Sequence, residues 1–206
     1  MNKELIQKLD SIFKKYGIKD DKNILGYRDK LIDYIRSLEM KDIQTEYDKK
    51  EFLYEFVELQ KDYGFENDIL NDYTMLLSTT SKNLGQCFTP KCLNELLSKV
   101  MDYTEPGLKV FYEPAGGTGS TIIRAVSDWR QTVGFNDFAK LHLCEVDELD
   151  KYNFHCCILN FIVRGFNADI RQINTLTREL FDRAIMVNNG WFSKFKFIEG
   201  EDVNGW

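Results

Sequence analysis

Several familiar features are missing from this chain, and each absence excludes something. No apolar run approaches the roughly 20 residues that span a bilayer, and MNKELIQKLD at the amino end lacks the apolar stretch of a secretory signal, so no membrane association is expected. The five cysteines are odd in number and form no C-x-x-C pair. That argues against a disulfide framework and against zinc, and it points to the reducing cytoplasm. Cys87, Cys92, His142, Cys144, His155, Cys156 and Cys157 do not space as metal ligands, because neighbours on a helix point about 100° apart. They read as buried thiols with no metal. A basic surplus is also missing. Residues 1–82 hold 14 basic and 17 acidic side chains and the remainder 13 and 16, for a net charge of −6. Strong autonomous DNA binding by counterion release is therefore disfavoured. Arg164, Arg171, Arg178 and Arg183 read as solvated or acid-paired cations. Internal repeats and low-complexity segments are absent as well.

With 206 residues, 43% hydrophobic and 29% charged, the chain has enough apolar material for one ordinary domain or a small domain with a helical appendage. Residues 1–82 read as helices. Leu5, Ile6, Leu9, Ile12, Phe13 and Tyr16 share one face before Gly17. Leu31, Ile32, Ile35 and Leu38 recur at helical spacing within 24–40, and Phe52, Phe56, Val57 and Leu59 within 46–63. Ile69, Leu70, Tyr73 and Leu76 mark a fourth, shorter helix. From residue 83 the pattern turns α/β: a helix over Lys91–Met101, a strand over Lys109–Tyr112, a helix from Ser120 to Gln131, a strand over Lys140–Glu145, a helix over Glu148–Arg164, and strands over Ala168–Ile173 and Arg183–Val187. Such alternation predicts a parallel sheet in the order 3-2-1-4, with a ligand at the carboxyl ends of the strands.

The most informative stretch is Phe111 to Ser120, FYEPAGGTGS. An apolar strand ends at Glu113 and Pro114 and turns over three glycines into a helix, which lets backbone approach a ligand closely. The carboxylate at the strand end disfavours a phosphate and suits a cationic or amine-bearing cofactor. S-adenosylmethionine, with its ammonium and sulfonium, fits. Glu145 lies where the second strand of a nucleotide-binding unit should end, and a carboxylate there accepts hydrogen bonds from both ribose hydroxyls. A nicotinamide-dinucleotide site would share these features, but G-x-G-x-x-G is absent.

GQCFTP at 85–90, EPAGGTG at 113–119, CEVD at 144–147 and INTL at 173–176 occur in this order. The set resembles the adenine-specific DNA methyltransferases of the type I modification-subunit kind. That family shows GQ-aromatic-aromatic-TP, DPACGSG, an acidic ribose binder and a Gly-Asn/Asp-Ser/Thr-Leu turn. The resemblance covers roughly residues 68–190 and implies a Rossmann-like class I methyltransferase sheet, truncated to about four or five strands. A helical amino-terminal region, 1–82, would precede the S-adenosylmethionine-dependent domain, 83–206. By motif, Phe88, Thr89 and Pro90 would flank the methionine end of the cofactor. Glu113, Pro114, Gly117 and Gly119 would form its floor and near wall, Glu145 would hold the ribose, and Asn174 would meet the adenine edge. Glu113 replaces the more usual Asp, and Cys87 stands where an aromatic is common.

The family's fourth strand ends in Asn/Asp-Pro-Pro-Phe/Tyr, whose polar group receives the target amine while the aromatic stacks on the flipped base. Here the corresponding segment is VNNGWF at 187–192. Asn188 matches the polar residue and Trp191 the aromatic, but Asn189 and Gly190 replace both prolines and favour a mobile or left-handed turn. Methyl transfer depends on alignment, and a loosened loop loses it. Only sixteen residues follow Gly190, whereas family enzymes continue with three more strands and a target-recognition region or partner. The expectation is a family protein, typical of phage or mobile-element sets, that is catalytically deficient alone and serves as a binding or adaptor protein. It would reach DNA through a partner protein. The alternative is an active enzyme, or the cofactor-binding part of one completed by a partner subunit. The bare edge of strand four must also be covered, either by the alternating tail WFSKFKFI or by another chain, so a homo-oligomer or heteromeric complex is expected.

Overall fold

The computed structural model describes residues 3–20, 26–39, 47–77, 89–101, 108–133, 142–188 and 192–198. The apolar stripes near the amino end become α1 (Lys3–Lys15), α2 (Tyr27–Ser37), α3 (Tyr47–Tyr63) and α4 (Ile69–Leu77). Leu5, Ile6, Leu9 and Phe13 of α1 are buried, as are Leu31, Ile32 and Ile35 of α2 and Phe52, Phe56 and Leu59 of α3. Leu76 departs from its stripe. It is exposed together with Met75, so the last turn of α4 projects past the core that holds Ile69, Leu70 and Tyr73.

The α/β alternation follows as α5 (Lys91–Val100), β1 (Lys109–Glu113), α6 (Ser120–Val133), β2 (His142–Glu148), α7 (Lys151–Ile162), β3 (Ala168–Asn174), β4 (Glu179–Asn188) and β5 (Ser193–Phe197). The five strands form one sheet in the order β1-β2-β3-β4-β5. β1, β2 and β3 run parallel, whereas β4 is antiparallel to β3 and β5 to β4. The expected order 3-2-1-4 in a parallel sheet is thus corrected, because strand four lies beside β3 and not beside β1. The reason is the length of the connection. Only residues 175–178 separate β3 from β4, and a parallel return needs about a dozen residues or more, usually as a helix. Four residues permit only a hairpin. Asn174 closes it: its Oδ1 accepts from the amides of Leu176 and Thr177 at 3.1 and 3.2 Å, and its carbonyl accepts from Arg178 N at 2.7 Å. Arg178 takes a left-handed φ of 63° to complete the turn.

Of the two ways to cover strand four, the tail takes it: β5 pairs along β4 from Ala184↔Phe197 to Asn188↔Ser193. It supplies the cover for which another chain was the alternative.

α6 packs on β1, and α7 packs on β2, β3 and β5. Phe154, Ile158, Phe161, Ile170, Ala184, Met186, Phe195 and Phe197 share one buried cluster with the side chains of α1–α4. The boundary expected at residue 82 lies outside the described residues. Contacts across it are specific: Tyr27 donates to Tyr152 Oη at 3.3 Å, Phe197 N donates to Glu39 Oε1 at 2.9 Å, and Arg36 pairs with Asp182.

Candidate cofactor site

The glycine turn joins β1 to α6 at the carboxyl edge of the parallel strands, and its three glycines do different jobs. A Cβ on Gly116 would stand 2.2 Å from Val146 Cγ1, and one on Gly119 would stand 2.7 Å from Phe161 Cε1. Both positions are bare so that the turn can press onto β2 and α7. Gly117 meets nothing within 4 Å and has φ +55°, so its backbone faces open space where a ligand can approach. Gly116 N donates to Asp147 O at 2.9 Å, and Gly119 N to Gly116 O at 2.8 Å. Glu113 is half-buried at the strand end, its Oε1 at 3.4 Å from Ala115 N, and Pro114 is exposed.

β2 does not end at Glu145. It runs on to Glu148, and Glu145 sits mid-strand in register with Tyr112. Strand alternation divides the acids. Glu145 and Asp147 lie on the face opposite the helices, where Arg171 Nε donates to Asp147 Oδ1 at 2.6 Å and a guanidinium nitrogen lies 3.9 Å from Glu145 Oε2. Tyr112 Oη also donates to Asp147, at 3.0 Å. Glu148 shares the helix-side face with buried Cys144 and Val146. It accepts from Gly117 N and from Asp150 N, both at 2.7 Å. Burial raises its pKa, and the amides of Asp150 and Gly117 pull it partly back. The carboxylate at the strand end beside the glycine turn is therefore Glu148. A period-two reading of Cys144, Val146 and Glu148 would have found it.

Asp68 is a second residue that sequence reasoning missed. It precedes α4 and caps it, accepting from Asn71 N at 3.0 Å. The same buried carboxylate accepts from Thr118 Oγ1 at 2.5 Å, Ser120 Oγ at 2.8 Å and Asn160 Nδ2 at 2.9 Å. Asn160 also donates to Thr118 O at 2.9 Å. Arg164 Nε donates to Phe65 O at 3.0 Å, while its terminal nitrogens donate to Asn67 O at 2.7 Å and Asn160 O at 2.8 Å. Burial lowers the Arg164 pKa to about 10. Four donors on one carboxylate thus join α4, the glycine turn and α7.

A cleft opens beside this hub. Glu66, Asp68, Asp72, Lys91 and Arg124 line it, together with Thr89 and Ser120. Thr89 and Ser120, the first residue of α6, are therefore brought to one place. Pro90 leads into α5 with its side chain exposed, and Phe88 lies outside the described residues.

Of the two candidate catalytic residues, Asn188 is not brought to this edge. Asn188 ends β4 at the opposite end of the sheet, near the start of β3. Its Nδ2 donates to Gly165 O at 2.8 Å, and its amide donates to Asn167 Oδ1 at 2.7 Å. It braces the loop between α7 and β3, roughly 20 Å from the glycine turn at the usual strand rise of about 3.3 Å per residue. The antiparallel course of β4 is the cause. Trp191 lies outside the described residues. Asn174 is at the correct end of β3, but its side-chain oxygen is used by the hairpin. Cys144, Cys156 and Cys157 are buried and Cys92 is exposed, and no group of His, Cys, Asp or Glu suited to a metal occurs among the described residues.

A glycine turn thus joins β1 to α6, and a carboxylate at the end of β2 touches its backbone. The N-6 DNA methylase family model matches residues 66–203, and the chain belongs to that family. No curated protein and no solved structure matches it. Among the described residues no helix is long and apolar enough to cross a membrane.

Proposed function

We propose that the chain binds S-adenosylmethionine at the glycine turn and does not methylate DNA by itself, acting instead as a binding or adaptor protein on DNA or in a protein complex. The parallel β1–β2–β3 half is the part of a Rossmann-like sheet that this reading needs. Glu148, in place of Glu145, is the residue to accept from the ribose hydroxyls, since each of its oxygens keeps a further lone pair beside the open side of Gly117. The cleft carries both signs of charge, Glu66 and Asp72 against Lys91 and Arg124, which suits the zwitterionic methionine end. Thr89 borders that end. When bound, the cofactor would supply an activated methyl group.

The observation that carries the deficiency is the position of Asn188. An acceptor-binding group at the far end of the strands cannot hold an amine in line with a methyl at the glycine turn, and in-line positioning is most of this chemistry. With a net charge of −6, contact with DNA goes through a partner protein, in the cytoplasm.

Calorimetric titration with S-adenosylmethionine tests the site. Micromolar binding is expected, lost in Glu148→Ala and retained in Glu145→Ala. Binding lost only in Glu145→Ala would overturn the assignment, and no binding by the native chain would overturn the site. Labelled methyl incorporated into adenine-containing DNA by the purified chain would overturn the deficiency.

A further inference from the structure

Helix α5 is built inside out. Its buried residues are Asn94 and Ser98, which face α6: Thr121 Oγ1 donates to Asn94 Oδ1 at 3.1 Å, and Ser98 Oγ donates to Asp128 at 2.6 Å. Its apolar residues point away from the body. Leu93, Leu96, Leu97 and Val100 are 42%, 58%, 40% and 74% exposed. Their i, i+3, i+4, i+7 spacing makes one continuous stripe, the pattern of a helix face that is normally covered.

β1 is an open edge of the sheet, and its exposed side chains lie on the face opposite the helices, where Tyr112 meets Asp147. It pairs with β2 alone, and no described residue pairs with its other edge. Leu108, Val110 and Tyr112 are 60%, 54% and 51% exposed. Among the described residues, eight of the seventeen exposed large hydrophobics fall between Leu93 and Tyr112, on α5 and on the bare face of β1. α6 packs on β1 and α5 on α6, which puts stripe and edge on the same side of the molecule. The opposite edge of the sheet is defended. β5 carries Lys194 and Lys196 along its length, the usual protection against strand addition, whereas β1, of the same length, has no proline, bulge or mid-strand charge.

We propose that β1 and α5 form the interface of a homodimer, with the two β1 strands pairing antiparallel across a two-fold axis. The occupant is a second copy because Lys109-Val110-Phe111-Tyr112-Glu113 complements itself in that sense alone. With Phe111 opposite its own equivalent, Lys109 falls opposite Glu113 twice and Val110 opposite Tyr112 twice. Opposite charges and aromatic–β-branched neighbours are both favourable cross-strand pairs. In-register parallel pairing would instead set Lys109 against Lys109 and Glu113 against Glu113. A self-complementary patch is what a closed two-fold contact requires. The antiparallel arrangement keeps both helix layers on one face, so each α5 stripe turns toward the layer of the other copy.

Sedimentation velocity over the micromolar range tests this on the full chain. The native protein is expected to sediment at twice its 24.2 kDa mass. Leu96→Glu and Val110→Lys, both at exposed positions, are each expected to weaken the dimer about tenfold or more while the circular dichroism melt is unchanged. Lys109→Glu should weaken it too, and adding Glu113→Lys to that variant should restore it. Amide exchange across Lys109–Glu113 should slow as concentration rises. A native chain that stays monomeric over the range would overturn the proposal, even where another protein occupies the face. So would a dimer that survives both Leu96→Glu and Val110→Lys.

Discussion

Gly117 and Gly119 are two residues apart and both have positive φ, yet alanine should cost them differently. At Gly119 the new methyl meets Phe161 at 2.7 Å with φ +91°. Strain and overpacking together should remove about 3 kcal/mol, read as a shift in the urea midpoint. At Gly117, with open space around it, only the left-handed backbone is penalised, by about 1 kcal/mol. Gly117→Ala should therefore remain folded and lose cofactor affinity, because its methyl would occupy the ligand's approach. The same urea and calorimetric measurements on both variants separate a packing glycine from a binding one. Sequence showed three glycines in a turn without sorting them, since Val146 and Phe161 reach the turn only through the fold. The end of β2 at Glu148, and not at Glu145, was hidden for a related reason. Three acids in four positions look like the end of a strand, and only the burial of Cys144 and Val146 on one face picks out Glu148.

At the scale of elements, the helices of residues 1–82 were legible because their apolar stripes repeat at helical spacing, and of those stripe residues Leu76 strayed into solvent. The strands were legible as segments but not as a sheet. The short gap after Asn174 forbade a parallel return, and that length was the signal to use. Asp68 lay beyond any local reading, since its partners Thr118, Ser120 and Asn160 are 50, 52 and 92 positions away. Asp68→Ala orphans two hydroxyls and an amide in a buried place and should cost about 3 kcal/mol in chemical denaturation. Asp68→Asn keeps the volume but cannot accept from all four donors, so it should recover only part of the loss. In either variant the turn loses its tie to α4, and the cofactor affinity should fall.

The whole molecule carries an acid-sensitive core. His155 is fully buried on α7, its Nδ1 at 2.7 Å from Lys151 O, with no hydrogen-bond partner for Nε2. Burial lowers its pKa to about 4 from 6.5. The unfolded chain takes up the proton near 6.5 and the folded chain only near 4. Its contribution is therefore complete above pH 6.5 and is lost as pH falls toward 4, at about 1.4 kcal/mol per unit. Glu148 acts with the opposite sign. Its raised pKa lets the folded state hold a proton longer, so its contribution falls as pH rises. Denaturant midpoints between pH 4 and 7 should drop steeply for the native chain and less steeply for His155→Phe. The hairpin turn at 175–178 reaches further than topology. Closing a short loop costs little chain entropy, whereas β1–β2 and β2–β3 must close across whole helices. Strands β3 to β5 can thus assemble early, while the glycine turn waits for the slower parallel pairings. In refolding, amides of residues 168–197 should be protected before those of 109–148, which makes the glycine turn a late arrival in the sheet.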